Sequence, residues 1–129
     1  MKIAGMDGIT GYAFLANFET ISPPIQDYDE LIEQWKKDWL TILKLSIPFI
    51  PPAVVGWDSS PRGKQGLNLS EVKGIYPYTP IVTGSNVQSF ISMLTESLNY
   101  INNNIPSSEQ YGLICAWNEV SEGCSLLPK

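Results

Sequence analysis

Short apolar segments alternate along the chain with two longer segments in which apolar residues recur at helical spacing. The apolar segments cover residues 3–14, 49–57 and 111–117, and each has the length of a strand. Gly5, Gly8 and Gly11 weaken the first of them and indicate a bulge or a close approach of the backbone. The order predicted from the pattern is therefore strand, helix, strand, helix, strand.

The first predicted helix begins with a capping box, in which Asp27 is the N-cap residue and Glu30 follows three residues later. Its end is predicted before Pro48, because the residue that precedes a proline disfavours the helical conformation. The apolar face of this helix comprises Leu31, Trp35, Trp39, Ile42 and Leu43.

The second predicted helix begins at Ser85, with Gln88 completing another capping box, and Ile105-Pro106 ends it. We expect the long segment between residues 58 and 84 to be a loop rich in glycine, serine and proline. The apolar face of the second helix comprises Val87, Phe90, Ile91, Leu94, Leu98 and Ile101.

Strands that alternate with helices favour a parallel sheet with right-handed crossovers. The connections after the strands are long and those before them are short, which is typical of a (β/α) barrel. An eight-stranded barrel takes about 250 residues, and this chain has 129. The prediction is an α/β fold in which residues 1–129 form the C-terminal part of one (β/α)8 TIM barrel domain, with three parallel strands, two crossover helices and no internal domain boundary. Because three strands leave unpaired edges, we expect self-association or an N-terminal half of the barrel that completes the sheet.

Composition limits the classes of partner. The net charge is −5 and no run of basic residues is longer than Lys36-Lys37, so we expect no nucleic-acid partner. No segment approaches the roughly 20 apolar residues of a membrane span, and the N-terminus lacks the apolar region of a signal peptide. The sequence leaves the cellular compartment open.

The chain contains no histidine. This excludes Ser-His-Asp and Cys-His catalytic systems and histidine-based zinc sites, and we expect neither a metal nor an organic cofactor. Cys115 lies in an apolar strand, where a free cysteine behaves as a small buried hydrophobe. A disulfide with Cys124 is only weakly indicated, given the strand-to-loop geometry, so the sequence favours two free cysteines.

Candidate chemistry follows the third strand, in the segment Ala116–Gly123. There Asn118, Glu119 and Glu122 come directly after an apolar run, at the edge where parallel α/β folds place their functional groups. Cleaving a glycosidic bond requires an acid and a base or nucleophile, and two carboxyl groups can supply both. The alternative is a solvated acidic turn, but carbohydrate is the first hypothesis for the substrate.

Residues after the other two strands are candidates for contacts with that substrate. Tyr12 ends the first strand, and Trp57 and Asp58 end the second. Trp57 either stacks on a sugar ring or belongs to the core. For Asp58, the sequence favours an ion pair with Arg62 over a contact with a sugar hydroxyl. Tyrosines of the segment 76–78 form either a substrate wall or surface anchors.

Three segments together resemble a known group of domains. The segment 117–123, Trp-Asn-Glu-Val-Ser-Glu-Gly, is similar to the Asn-Glu-Trp-x-Glu-Gly motif of glycoside hydrolase family 99-like and WbsX-type domains. The segment 56–62, Gly-Trp-Asp-Ser-Ser-Pro-Arg, resembles their Gly-Trp-Asp-x-x-Pro-Arg turn, and residues 5–12 resemble their preceding strand more loosely. The resemblance covers essentially the whole chain.

The resemblance implies a barrel enzyme that acts on glycosidic bonds of a glycan or oligosaccharide, α-mannosidic ones in family 99. It implies that Glu119 is the base on the 2-hydroxyl of the sugar, which then attacks the anomeric carbon, and that Glu122 is the general acid/base. It also carries an alternative, because WbsX-type domains are commonly labelled glycosyltransferases of polysaccharide synthesis. A further alternative is an inactive or truncated sugar-binding fragment.

Two positions depart from the pattern. Val120 replaces the tryptophan of the motif, and Leu127-Pro128 stands where the family often has Glu-Pro. Both changes concern substrate binding more than Glu119 and Glu122, which we call the acid pair.

Overall fold

The computed structural model describes residues 5–12, 25–45, 47–68, 70–72 and 74–126. The helices are α1, Tyr28–Ile42, and α2, Val87–Asn104. The strands are β1 (Ile9–Thr10), β2 (Ile25–Asp27), β3 (Phe49–Ile50), β4 (Pro52–Val54), β5 (Ile81–Thr83) and β6 (Leu113–Cys115). Residues 3, 4, 13 and 14 of the first predicted strand and the Leu127-Pro128 position lie outside the described residues.

The main strands are parallel and follow their order in the chain. β1 pairs with β3, with Ile9 opposite Phe49, and β4 pairs with β6, with Pro52 opposite Leu113. Only Pro51 separates β3 from β4, so the segment 49–54 lies between β1 and β6. The predicted α/β class, with parallel strands and two helices, is confirmed, although each strand is shorter than predicted.

A third parallel pair was missing from the sequence prediction. β2 pairs with β5, from Ile25 opposite Ile81 to Asp27 opposite Thr83. Each strand is three residues long, too short for an alternating pattern to be recognised. Because β2 leads directly into α1 and β5 lies just before α2, this pair brings the N-termini of the two helices together. Further along, Lys36 of α1 forms an ion pair of 3.2 Å with Glu96 of α2.

Helix α1 begins where its sequence predicts. The Asp27 side chain accepts hydrogen bonds from the backbone N–H groups of Asp29 and Glu30, at 2.9 and 3.4 Å, and so satisfies two donors that the first turn leaves unpaired. Leu43 was wrongly assigned to the buried face, since it follows the last helical turn and is exposed. The buried residues of α1 are Tyr28, Leu31, Ile32, Trp35 and Trp39.

Helix α2 corrects the prediction in two ways. Its N-cap is Asn86 rather than Ser85, and the Asn86 side chain accepts from the N–H groups of Gln88 and Ser89. Of the predicted apolar face, Val87, Ile91 and Leu98 are exposed. The buried residues are Ser89, Met93, Ser97, Tyr100 and Ile101.

A buried serine explains why hydrophobicity misplaced this face. The Ser97 hydroxyl donates to the carbonyl of Pro51 at 2.7 Å, so a small polar residue lies where the helix comes closest to the strand segment 49–54. A buried hydroxyl is tolerated there because it is hydrogen-bonded. Large apolar residues at this position would hold the helix further from the sheet.

The core lies where both helices cover the segment 49–54. Tyr100 makes edge contacts with Trp39 and Phe49, with ring centroids 5.7 and 5.9 Å apart. The hydroxyl of Tyr28 donates to the carbonyl of Val54, the last residue of β4. These contacts fix the carboxyl end of the central strand, from which one loop of the candidate site departs.

The position of the second N-cap is testable. We expect Asn86→Ala to lower the free energy of unfolding by about 1 kcal/mol, because two backbone N–H groups lose their acceptor. Urea denaturation followed by circular dichroism measures this change.

Ser85→Ala is the matched control, since Ser85 is exposed and does not cap the helix. We expect it to change the free energy by no more than about 0.5 kcal/mol. A larger loss from Ser85→Ala than from Asn86→Ala would show that the helix begins at the residue that the sequence pattern favoured.

Candidate active site

Loops that follow β1, β4 and β6 meet at one edge of the sheet. The hydroxyl of Tyr12, two residues after β1, donates to Oε2 of Glu122 at 3.3 Å. The backbone N–H of Asp58, four residues after β4, donates to the carbonyl of Glu122 at 2.7 Å. Parallel strands bring their carboxyl ends to one edge, and here that edge gathers residues distant in sequence around one glutamate.

The loop after β6 has a tight geometry. Residues 120–122 form one 3-10 turn, and the N–H of Cys124 returns to the carbonyl of Glu119 at 3.0 Å. Gly123 has a φ of +63°, and a Cβ there would lie 3.0 Å from the backbone nitrogen of Asp58. Only glycine suits both the left-handed conformation and this close approach. The turn therefore holds Glu119 and Glu122 against the loop that follows β4.

Arg62 joins the two acids. Its Nη1 lies 2.6 Å from Oε1 of Glu122, and its Nη2 lies 3.2 Å from Oε1 of Glu119. Its guanidinium group also donates to the hydroxyl of Ser121 and, at 2.7 Å, to that of Tyr76. A planar guanidinium has several donors in fixed positions and suits such shared contacts.

The two glutamates differ in their surroundings. The side chain of Glu122 is 10% exposed and accepts hydrogen bonds from Arg62, Tyr12 and Tyr76. The side chain of Glu119 is 30% exposed and contacts Arg62 and the hydroxyl of Ser121. Glu122 is thus the enclosed member of the pair, and Glu119 is the one open to an incoming molecule.

The ion pair predicted between Asp58 and Arg62 is wrong. Oδ1 of Asp58 instead accepts from the backbone N–H and the hydroxyl of Ser60, at 3.0 and 2.6 Å. These bonds stabilise the 3-10 turn Ser60–Arg62, which directs the arginine towards the loop after β6. Asp58 therefore acts on the acid pair through the turn.

The remaining predicted residues lie at different depths. Trp57 is only 5% exposed, and its ring meets the ring of Tyr12 edge-on with centroids 6.4 Å apart. Tyr12 itself is 57% exposed and presents an aromatic surface beside Glu122. Asn118 is exposed, and its side-chain amide makes no hydrogen bond with the residues that the structure describes.

Sequence reasoning placed Arg62 beside Asp58 and Tyr76 in a candidate substrate wall, but it missed their contacts with Glu122. It did not single out Ser121. Tyr76 is half exposed, whereas the hydroxyl of Tyr78 accepts from the backbone N–H of Lys64 at 2.9 Å and so anchors the loop. A usable signal was present, because Arg62 is the only arginine in the sequence and belongs to the same motif as Asp58. A lone guanidinium near two carboxyl groups is a natural partner for them.

A separate cavity of about 660 Å³ lies at the opposite end of the sheet. Residues that precede the strands line it, among them Asp7, Pro48 and Glu109. It does not include either glutamate of the acid pair. Among residues 5–12, 25–45, 47–68, 70–72 and 74–126, no group of three or more His, Cys, Asp or Glu residues could hold a metal ion.

A known protein family matches most of this chain. The family model described as glycosyltransferase WbsX matches residues 9–129, a range that contains Tyr12, the turn with Arg62 and both glutamates. The chain belongs to the WbsX glycosyltransferase family. This confirms the WbsX-type resemblance of the motifs. No curated protein and no solved structure matches the chain.

Membership of a glycosyltransferase family indicates that the activity of this chain is related to carbohydrates. Neither helix in the described part of this WbsX-family domain is long and apolar enough to cross a lipid bilayer.

The contacts of Arg62 predict the effect of its removal. We expect Arg62→Met to lower the urea midpoint of unfolding, because the enclosed carboxylate of Glu122 loses its cation. We expect Arg62→Lys to restore only part of the loss, since one ammonium group cannot make the forked contacts of a guanidinium.

Lys64→Met is the matched control, because it removes a positive charge from the same loop and Lys64 has no carboxylate partner among the described side chains. It should leave the midpoint unchanged. Equal midpoints for Arg62→Met and Lys64→Met would contradict the bridging role of Arg62.

Tyr12 provides a spectroscopic probe of the site. Burial of its hydroxyl raises the pKa of Tyr12 to about 12, and the carboxylates of Glu122 and Glu119 act in the same direction. Because the folded-state pKa is above the usual value of 10.0, the contribution to stability is complete below pH 10 and is lost as the pH rises through the folded-state value.

We expect Glu122→Gln to move the pKa of Tyr12 towards its usual value, because a negative neighbour is removed. The difference in tyrosinate absorbance between each protein and its Tyr12→Phe counterpart isolates this titration. An unchanged titration in Glu122→Gln would show that the hydroxyl and the carboxylate do not interact in solution.

Proposed function

We propose that this WbsX-family domain transfers a glycosyl group to a glycan or oligosaccharide acceptor. The observation that carries the proposal is the pair Glu119 and Glu122, which share one guanidinium at the carboxyl edge of a parallel sheet. Activating a sugar hydroxyl requires a base, and a departing oxygen requires a proton donor or a stabilising charge. The family match favours transfer over hydrolysis.

In this proposal Glu119 is the base. Its carboxylate is the more exposed of the two, and its Oε1 contacts Ser121 and Arg62, which orient it. Glu122 serves as acid/base at the leaving oxygen, and Tyr12 and Tyr76 position its two oxygens separately. An acid role requires a proton on Glu122, so the present donor contacts must rearrange when substrate binds.

The substrate contacts proposed from the sequence fit this edge of the sheet. The exposed ring of Tyr12 can pack against a sugar, with Trp57 supporting it from below. The free amide of Asn118 has both donors and acceptors for sugar hydroxyls. Asp58 contributes by holding the turn that carries Arg62.

Hydrolysis of a glycosidic bond is the second candidate. It is favoured by the likeness of segment 117–123 to the Asn-Glu-Trp-x-Glu-Gly motif of family 99-like domains. In family 99, the two glutamates of that motif cleave α-mannosidic bonds. Transfer and hydrolysis use the same acid and base and differ in whether a sugar hydroxyl or water accepts the glycosyl group. The two activities are therefore separable by their products.

We also propose that the scaffold is the C-terminal part of a (β/α)8 barrel within one domain. The proposal is supported by the parallel pairs β1–β3 and β4–β6 and by the contact of α1 with α2 through Lys36 and Glu96, since neighbouring units of a barrel pack in this way. A second copy of the chain or an N-terminal half of the barrel would complete the sheet.

A product assay tests the function. The protein is incubated with a set of nucleotide sugars and an oligosaccharide acceptor, and separately with α-mannosyl oligosaccharides in water. We expect an extended acceptor together with a free nucleotide, and we expect Glu119→Gln and Glu122→Gln each to lower the rate by about 10²–10⁴-fold.

Glu109→Gln is the control, since Glu109 is an exposed carboxylate at the opposite end of the sheet. Its rate should equal that of the unmodified protein, and melting curves establish that each variant is folded. Full activity in the folded Glu119→Gln and Glu122→Gln variants would exclude the acid pair. Release of free sugar without an extended acceptor would replace transfer by hydrolysis.

A further inference from the structure

Cys115 and Cys124 enclose the acidic loop. Cys115 is the last residue of β6 and Cys124 follows Gly123, so the intervening residues 116–123 include both glutamates. The two side chains are buried and their Sγ atoms lie 3.2 Å apart. A disulfide has an S–S distance of about 2.05 Å, so the sulfur atoms need to approach by only about 1 Å.

Backbone hydrogen bonds hold the two cysteines opposite each other. The N–H of Ala116 donates to the carbonyl of Cys124 at 3.3 Å, and the N–H of Leu126 donates to the carbonyl of Ala116 at 3.1 Å. The thiol of Cys124 is directed at the carbonyl of Cys115, at 2.7 Å. The two sulfur atoms are therefore neighbours before any oxidation.

We propose that Cys115 and Cys124 form a redox-sensitive pair that peroxide converts to an intramolecular disulfide, closing the loop that carries the acid pair. The thiolate sulfur of one of the two cysteines attacks one peroxide oxygen and the O–O bond breaks. Hydroxide leaves and takes up a proton as water, and that cysteine becomes a sulfenic acid. The sulfur of the other cysteine then attacks the sulfenic acid sulfur, and its proton leaves with the displaced hydroxide as a second water. Two thiols are oxidised and one peroxide is reduced.

Either sulfur can begin the reaction. The two thiols share one hydrogen bond, and the thiol of Cys124 also lies against the carbonyl of Cys115. The cysteine that loses its proton first attacks the peroxide as a thiolate, and the other cysteine resolves the sulfenic acid.

Access to the pair requires a local opening of the loop, because Cys115 is 5% exposed and Cys124 is fully buried. Trp117, Asn118, Val120 and Ser121 of that loop are exposed, and we expect peroxide to enter when the loop opens. This argues for a small oxidant over a bulky one such as a peptide disulfide. The proposal does not depend on the glycosyl chemistry, and its failure would leave that chemistry untouched.

Mass spectrometry of the whole chain tests the pair. The fully reduced protein is titrated with hydrogen peroxide, and the remaining thiols are counted after denaturation. We expect a monomer that is lighter by two hydrogen atoms, with neither of its two cysteines available to a thiol reagent. We expect the melting temperature to rise by about 5–10 °C, because the crosslink restricts the unfolded chain, and to return on reduction with dithiothreitol.

Two variants test the resolving step. In Cys115→Ser and in Cys124→Ser, the sulfenic acid on the remaining cysteine has no resolving thiol, so dimedone added on denaturation should trap it. Sulfinic acid on the separate cysteines, or a disulfide between two chains, would overturn the proposal for the unmodified protein. A crosslink without a rise in melting temperature would overturn the closing of the loop.

Discussion

The guanidinium of Arg62, in the loop after β4, contacts the carboxylates of Glu119 and Glu122, which follow β6. The geometry of the site depends on these contacts. Glu122 is largely enclosed, and an enclosed carboxylate is tolerated only with a cation or several donors beside it. Arg62 supplies the cation and two tyrosines supply further donors. Both glutamates therefore keep fixed positions although neither lies on a strand or a long helix.

The position of the 3-10 turn Ser60–Arg62 depends on the core. Tyr28 of α1 binds the carbonyl of Val54 at the end of β4, and Ser97 of α2 binds the carbonyl of Pro51. Both helices thus hold the central strand segment through its backbone, just before the loop with Asp58 and Arg62. A chemistry-bearing loop supported by a rigid element is the arrangement that preorganised sites require.

Sequence reasoning succeeded where the signal was local. Asp27 was identified as a helix cap because a capping box is read from four consecutive residues. Glu119 and Glu122 were singled out because they follow an apolar run, and their role stays a prediction. Of the neighbouring residues Ser85 and Asn86, both good caps, the sequence pattern favoured the wrong one. The other failures concern distant contacts. The buried side of α2 contains Ser97, whose partner Pro51 is 46 positions away, and the true partners of Arg62 are 57 and 60 positions away.

The close approach at Gly123 has an evolutionary consequence. A side chain at this position would meet the backbone of Asp58 and would also require an unfavourable left-handed conformation. The loops after β4 and β6 therefore cannot diverge independently, because a replacement at 123 must be accompanied by a shift of the Asp58 turn. Homologues that have lost this glycine should show matched changes in both segments, whereas the exposed Val120 between the glutamates is free to vary with the substrate.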